Sequence, residues 1–328
     1  MTATMPASNR RLPWKLLNHT GTLENTTARD ALREAGLDWF VQGASVFAEA
    51  NGQRIEMPTH QANVKIKSDG SVWPLAVVGS RYRIIQNEEM FATLDTITRN
   101  QQAQYVAAGE LGGGRVVYMV MSLPEYVNIP GDPHEAYLLA RTSHDGSTSL
   151  EFTTVINRLF CTNQMTSLFK LARKQDVLYT VKHTANAVLD SMRVQQALQI
   201  SYDEVALYES FAKRALDINF SDARFESYIS RVFPMPDGVT EVMSEEVMSR
   251  GQKIARTRAT NLRERAWDSW LNKTDTMGNI RGTAFGAFQA VIETYDHLAV
   301  TDEEKRAAQT ILATDVKKKV RAVELLGV

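Results

Sequence analysis

The sequence predicts an α+β protein: an antiparallel β-meander with flanking helices, followed by an α-helical C-terminal region. Three observations predict it. Short alternating segments separated by Gly-, Asn- and Asp-bearing turns fill much of the first 160 residues, a 3.6-residue apolar period marks residues 87–100, and from about residue 184 the pattern is helical. The expected organisation is a flexible N-terminal arm over 1–25, an α+β core domain over 26–183 and a helical region over 184–328.

The arm is assigned because residues 1–25 are polar, rich in Thr and Asn, and show no sustained period. Residues 28–35 read as a short helix stopped by Gly36, and residues 39–47 and 54–57 flank an Asn51-Gly52 turn as a hairpin. Val64 to Lys67 alternates apolar and basic up to the Asp69-Gly70 turn, and residues 73–78 continue as a strand. Asn87 is placed to cap a helix bearing Met90, Phe91, Leu94 and Ile97 on one face, with Glu88 and Glu89 in its first turn. Strands follow at 104–108, 115–123, 136–141 and 149–156, arranged as a meander with helices on one face, and a basic helix is predicted over 165–174. Helices are then expected at 185–199, 202–215, 221–232, 241–271 and 281–297, with two more near the C-terminus, the last Lys-rich.

At 328 residues the chain is long enough to bury a sizeable core, and 44% hydrophobic with 23% charged residues describes an ordinary globular protein. The net charge of −1 argues neither for nor against nucleic acid, but cations concentrate locally, seven Lys/Arg against four Asp/Glu over residues 141–193 and six against one over 250–265. A lone cysteine, Cys161, excludes an intrachain disulfide and a Cys-based zinc cluster, and fits a reducing, cytoplasmic setting. No signal-peptide core stands at the N-terminus and no window approaches the ~20 apolar residues that span a bilayer, so no membrane partner is expected.

Motifs for enzyme chemistry are weak. Gly109 to Gly114 lacks the Gly-Lys-Ser/Thr ending of a phosphate loop and precedes a strand, so it reads as a hairpin turn. His144-Asp145-Gly146-Ser147 sets a base, an acid and a hydroxyl side by side, but adjacent residues in a glycine-containing turn are far more often a turn than a triad. The six histidines show no helical metal spacing, and Cys161 beside Phe160 reads as a small buried hydrophobe. The reading is therefore no catalytic residues, no metal and no cofactor.

What remains is basic residues interleaved with aromatics: Arg81-Tyr82-Arg83, Arg158-Leu159-Phe160, Phe169 to Lys174, and Tyr179 ahead of Lys182-His183. Cationic grooves with stacking surfaces commonly hold single-stranded nucleic acid, each stacked base contributing roughly 1–3 kcal/mol. Solvated strand-edge and helix-face cations give the same pattern.

Several segments in order, AVVGSRY (76–82), GGRVV (113–117), SHDGS (143–147), NRLFCTN (157–163), GTAFGAF (282–288) and YDH (295–297), resemble the phage/plasmid-like protein family, a domain of unknown function. Gln164 departs from it, a small hydroxyl residue being expected there. The resemblance covers most of residues 60–300 and implies a mobile-element context. Separately, the order helix, antiparallel strands, basic helix over 87–174 is similar in topology to the core of the single-strand annealing recombinases, which include Rad-type, Red-beta and Erf proteins.

That similarity implies a non-catalytic protein of homologous recombination that binds and anneals single-stranded DNA as a homo-oligomeric ring or filament, alongside phage or host replication and recombination proteins. On it, Arg158, Lys170, Arg173 and Lys174 hold phosphates, Arg81, Arg83, Arg115, Arg141 and Lys182 are further DNA-binding candidates, and Tyr82 and Tyr179 are the stacking positions. The alternatives are a structural or interaction protein of a mobile element without DNA affinity and, ranked last, a metal-dependent nuclease using acids such as Glu110, Asp145 and Glu151.

Overall fold

Turn chemistry and apolar period set the two antiparallel sheets that dominate the first half of the chain. The computed structural model describes residues 12–15, 27–124, 127, 129–159, 163–166, 179–184, 191–272, 278–300 and 302–328. The fold is α+β, as the sequence predicts.

Helix α1 (Ala28–Glu34) starts at Thr27, whose hydroxyl accepts from the Asp30 amide, and stops at Gly36. Strands β1 (Phe40–Ala50) and β2 (Gln53–Ile66) join at Asn51-Gly52, both with positive φ, the conformation that matches strand twist in a two-residue hairpin. Strand β3 (Val72–Gly79) pairs only with residues 60–66 of β2, so the distal part of the hairpin projects as a two-stranded ribbon. Helix α2 (Asn87–Arg99) buries Met90, Phe91, Leu94 and Ile97, the face its period predicts. Asn87 is its first residue and not its cap, because its side chain is turned back to Leu37 and Trp39.

The second sheet runs β4 (Gln104–Leu111), β5 (Val116–Ser122), β6 (His134–Ser143), β7 (Leu150–Arg158) and β8 (Gln164–Thr166), and β9 (Tyr179–Val181) pairs with the other end of β7. Met165 and Thr166, expected to open the basic helix, are therefore strand, and the rest of that helix, 167–174, lies outside the described residues. Alternation along β5 sends Val117, Met119 and Met121 into the main core, with Tyr118 and Val120 in a second cluster on the opposite face. Trp14, packed edge-on against Tyr137 at 4.7 Å, and Ile311 close that second face. The helices thus do not cover one face alone, and within the expected arm residues 12–15 include a short 3-10 turn (Pro13–Lys15) whose Trp14 is buried.

The helical part comprises α3 (Ser191–Leu216), α4 (Asp222–Val232), α5 (Arg250–Asn272), α6 (Ala284–Glu293) running into a π-helical turn (Thr294–Leu298), α7 (Glu303–Leu312) and α8 (Val316–Leu326). The helices expected at 185–199 and 202–215 are one over the described residues 191–216, because Ser201 satisfies its hydroxyl on the Ala197 carbonyl without breaking the turn, and 185–190 lie outside the described residues. The helix expected over 241–271 begins only at Arg250, after a 3-10 turn at Glu245–Val247. All ten residues of α6 are buried. One apolar cluster runs from Leu138 and Ile156 of the sheet to Phe211, Phe285 and Phe288 of the helices, crossing the boundary expected at 183. Among the described residues no helix is long and apolar enough to cross a membrane.

Gly286 shows how tightly α6 is seated: a Cβ there would lie 2.2 Å from the Ile280 carbonyl oxygen, a backbone atom that cannot turn aside. Gly286→Ala is expected to destabilise by at least ~2 kcal/mol through overpacking, whereas Gly251→Ala on the exposed start of α5 should be neutral or stabilise by up to about 1 kcal/mol. Urea unfolding of the two variants checks the contrast.

Candidate nucleic-acid interface

The turn between β6 and β7 gathers segments distant in sequence. Asp145 accepts from the Ser147 amide at 2.9 Å, and Ser143 bridges to the Thr148 carbonyl and amide, so the turn is closed by its own short side chains. The His144 amide donates to the Arg115 carbonyl at 2.7 Å, tying in the β4–β5 turn. Asn63 of β2 donates to the His144 carbonyl at 2.7 Å, and Tyr82 donates its hydroxyl to the Ser143 carbonyl at 2.6 Å. The Tyr82 ring stacks on His183 at 4.5 Å, and His183 contacts Thr142 and the Arg83 carbonyl. His144-Asp145-Gly146-Ser147 is thus a structural junction.

The ring nitrogens of His144 can be assigned from its neighbours. Asn87 donates its amide to the Leu37 and Trp39 carbonyls, which leaves its oxygen to accept from Nε2–H of His144 at 3.0 Å. Burial, aided by the charges of His183 and Lys65, pushes the His144 pKa down to about 3, so the ring is neutral at pH 7. Burial likewise raises the Tyr82 hydroxyl to about 12.

Three cations adjoin residues of this junction in the chain: Arg81 beside Tyr82, Arg115 whose carbonyl accepts from the His144 amide, and Lys182 beside His183. All are exposed, and none has an ion-pair partner among the described residues. Arg83 is half-buried and held by Glu89 at 2.5 Å. Lys65 pairs with Glu110 at 2.6 Å and lies over the Trp39 ring.

Other expected contacts are placed elsewhere. Arg158 is 1% exposed, its Nε donating to both oxygens of Asp132 at 2.8 and 2.9 Å, so it braces the end of β7 instead of meeting phosphate. Arg141 is buried as well, bound to Glu151 and to the Ile311 carbonyl. A buried guanidinium without a carboxylate costs several kcal/mol, which is why each has one. Tyr82 is engaged with His183 and Ser143, so its ring face on that side is taken. Tyr179 lies on β9 opposite Phe152. Lys170, Arg173, Lys174 and Cys161 lie outside the described residues. Glu110 and Glu151 are paired with Lys65 and Arg141, Asp145 closes its own turn, and among the described residues no group of three His, Cys, Asp or Glu is placed to hold a metal ion.

A second buried polar chain escaped the sequence reading. His134 Nδ1 faces the Asp132 carbonyl at 2.7 Å, so Nε2 accepts from the Tyr208 hydroxyl at 3.0 Å. Tyr208 in turn accepts from Gln289, whose side-chain oxygen accepts from Asn163 at 3.0 Å. One residue on, Gln164 accepts from Thr310, donates its amide to Asp296, and offers its carbonyl to Lys319 at 2.7 Å. Lys319 also meets Asp296 at 2.5 Å and Asp315 at 2.9 Å. Burial pushes the Asp296 carboxyl above its usual range against the pull of Lys319. Burial alone would lower the Lys319 ammonium, but the two carboxylates outweigh it and raise its pKa. The NRLFCTN segment was visible in the sequence, but its partners on α3, α6, α7 and α8 carry no local signal.

A family model described as Domain of unknown function (DUF932) matches residues 74–322, more than half of the chain. No curated protein and no solved structure matches at a significant level.

Burial lowers His134 to about 4 and His144 to about 3, so both remain neutral in the fold while the unfolded chain protonates near pH 6.5. Their contribution is complete above pH 6.5 and is lost as pH falls towards those folded values, by about 1.4 kcal/mol per pH unit for each histidine. Urea unfolding at pH 7, 6 and 5 should therefore show stability declining, and His134→Gln or His144→Asn should each flatten that decline whatever it does to stability at pH 7.

Proposed function

The chain belongs to the DUF932 family, whose description assigns no activity, and from that premise we propose that it binds single-stranded DNA without a covalent step, as a homo-oligomer that brings strands together in recombination. The observation that carries the reading is the gathering of Arg81, Arg115 and Lys182 around the β6–β7 turn, exposed and without carboxylate partners among the described residues. Exposed cations left unpaired on a rigid junction suit phosphates, which supply most of the affinity in sequence-independent binding. The junction is rigid because its interior is filled with satisfied hydrogen bonds from Asn63, Tyr82 and Thr148. Arg83 stands beside the group and is partly neutralised by Glu89. The phage or plasmid setting and the annealing step belong to this same reading, supported by the order of the six sequence segments and by the topology of the meander.

A non-binding assembly protein is the second reading, favoured by an uncharged exposed sheet face described below. The two separate cleanly in one experiment. Anisotropy titration of a labelled oligonucleotide at several salt concentrations is expected to show binding by the parent protein, preferring single to double strands. Combining Arg81→Ala, Arg115→Ala and Lys182→Ala should weaken it and reduce the salt slope by about 2, at ~0.7 per phosphate contact on single strands. No binding by the parent at low salt, or an unchanged slope in the triple variant, rejects the reading.

A further inference from the structure

The outer face of the β1–β2–β3 sheet is an ordered grid of apolar side chains. Register places Phe40, Ile66 and Val72 in one row, Gln42, Val64 and Pro74 in the next, and Ala44, Ala62 and Val77 in a third. Intervening residues Val41, Asn63 and Lys65 are buried on the inner face, so alternation puts the nine on the outer one. The irregularity opposite Asn63 and Val64 preserves this parity, for Leu75 and Val78 are buried while Val77 is 58% exposed. Phe40 and Val72 are 51% and 58% exposed. Eight of the nine are apolar and none is ionisable.

We propose that this grid is a self-association surface that packs against the same sheet of a second copy of this chain. The absence of charge carries the choice of partner. Phosphates find nothing there to pair with, and a charged protein surface would have to bury unpaired ions against it, at a cost of several kcal/mol each. A second copy brings an equally uncharged grid, and two such faces related by a two-fold axis bury apolar area with no unpaired charge, Gln42 being the one polar side chain of each grid.

Three strands ~4.8 Å apart and three rows of two residues give a face of about 14 by 20 Å, a contiguous apolar patch comparable with the largest on an ordinary monomer, which is often functional. The distal ribbon extends from the same sheet and carries exposed apolar side chains on both of its faces, Phe47 on one and Ile55 on the other. A two-stranded ribbon alone in water is marginal at best, so contact with a neighbour also accounts for its length.

This inference concerns the oligomeric part of the reading above, and its test contains no DNA, so it stands or falls independently of strand binding. Mass photometry and sedimentation velocity of the full chain are expected to show a dimer or a larger species. Val72→Lys with Val77→Lys on β3, and separately Phe40→Lys on β1, should each weaken self-association roughly tenfold or more, with far-UV circular dichroism and thermal unfolding retained because all three positions are solvent-facing in the isolated chain. A parent protein that is monomeric at tens of micromolar, or folded variants of both kinds with unchanged stoichiometry, overturns it.

Discussion

Lys319 is the point on which the arrangement of the two halves depends. Its ammonium is fully buried between Asp296 of the π-helical turn and Asp315 at the start of α8, and its remaining donor reaches the Gln164 carbonyl on β8. A buried ammonium has to find its carboxylates wherever the fold puts them, because an uncompensated charge at that depth costs more than most single contacts supply. Three elements separated by up to 155 residues are therefore held to one geometry. The π-helical turn fits this role: an extra residue per turn re-aims the side chains that follow α6, and Asp296 faces inwards there while Thr294 returns its hydroxyl to Ala290. Arg158 and Asp132 repeat the device at the end of β7, and the Tyr208–Gln289–Asn163 chain lies between the two.

The cations of this protein fall into two populations by a simple energetic rule. Where the backbone forces a cation inside, the chain supplies an acid: Asp132 for Arg158, Glu151 for Arg141, Glu110 for Lys65, and two aspartates for Lys319. Where water solvates the charge, no acid is needed, and Arg81, Arg115 and Lys182 have none among the described residues. The second population is the one available to an external anion. Arg81, Arg115 and Lys182 adjoin one turn, unlike exposed Arg258, Lys317 and Lys318 on the helices, because Asn63, Tyr82 and the His144 amide draw β2, the end of β3 and the β4–β5 turn to the same place.

Much of the fold could be read from local sequence because its causes are local. The Asn51-Gly52 turn, the stop at Gly36 and the apolar stripe of α2 each depend on a handful of neighbouring residues. The candidate site was only half legible. Arg81, Arg115 and Lys182 were recognised as cations, but Arg158 and Arg141 looked identical on paper, because residue type says nothing of depth. Depth is decided by partners such as Asp132 and Ile311, 26 and 170 residues away. Trp14 was missed for the same reason: nothing in a polar N-terminal stretch announces that one indole closes the second face of a sheet. The 143–147 segment reads in the sequence as a glycine-containing turn and is one, but its role as a junction needed Asn63 and Asn87, which sit in other elements.

The two surfaces argued for here do not compete for space, and strand alternation is the reason. Along β2, Asn63 and Lys65 face inwards, to His144 and Glu110, while Ala62, Val64 and Ile66 face outwards into the grid. A second copy covering the grid therefore leaves the inner junction and its rim of cations uncovered. A sheet that is uncharged on one side and anchored to a cationic turn on the other can associate through the first and present the second, so that the second copy contributes its own Arg81, Arg115 and Lys182 to the cationic surface of the pair. Charge at the grid would set assembly against strand binding by attracting the phosphates to the wrong side. Its exclusion from the nine positions of the grid, three on each strand, is what lets the two surfaces work on one small sheet.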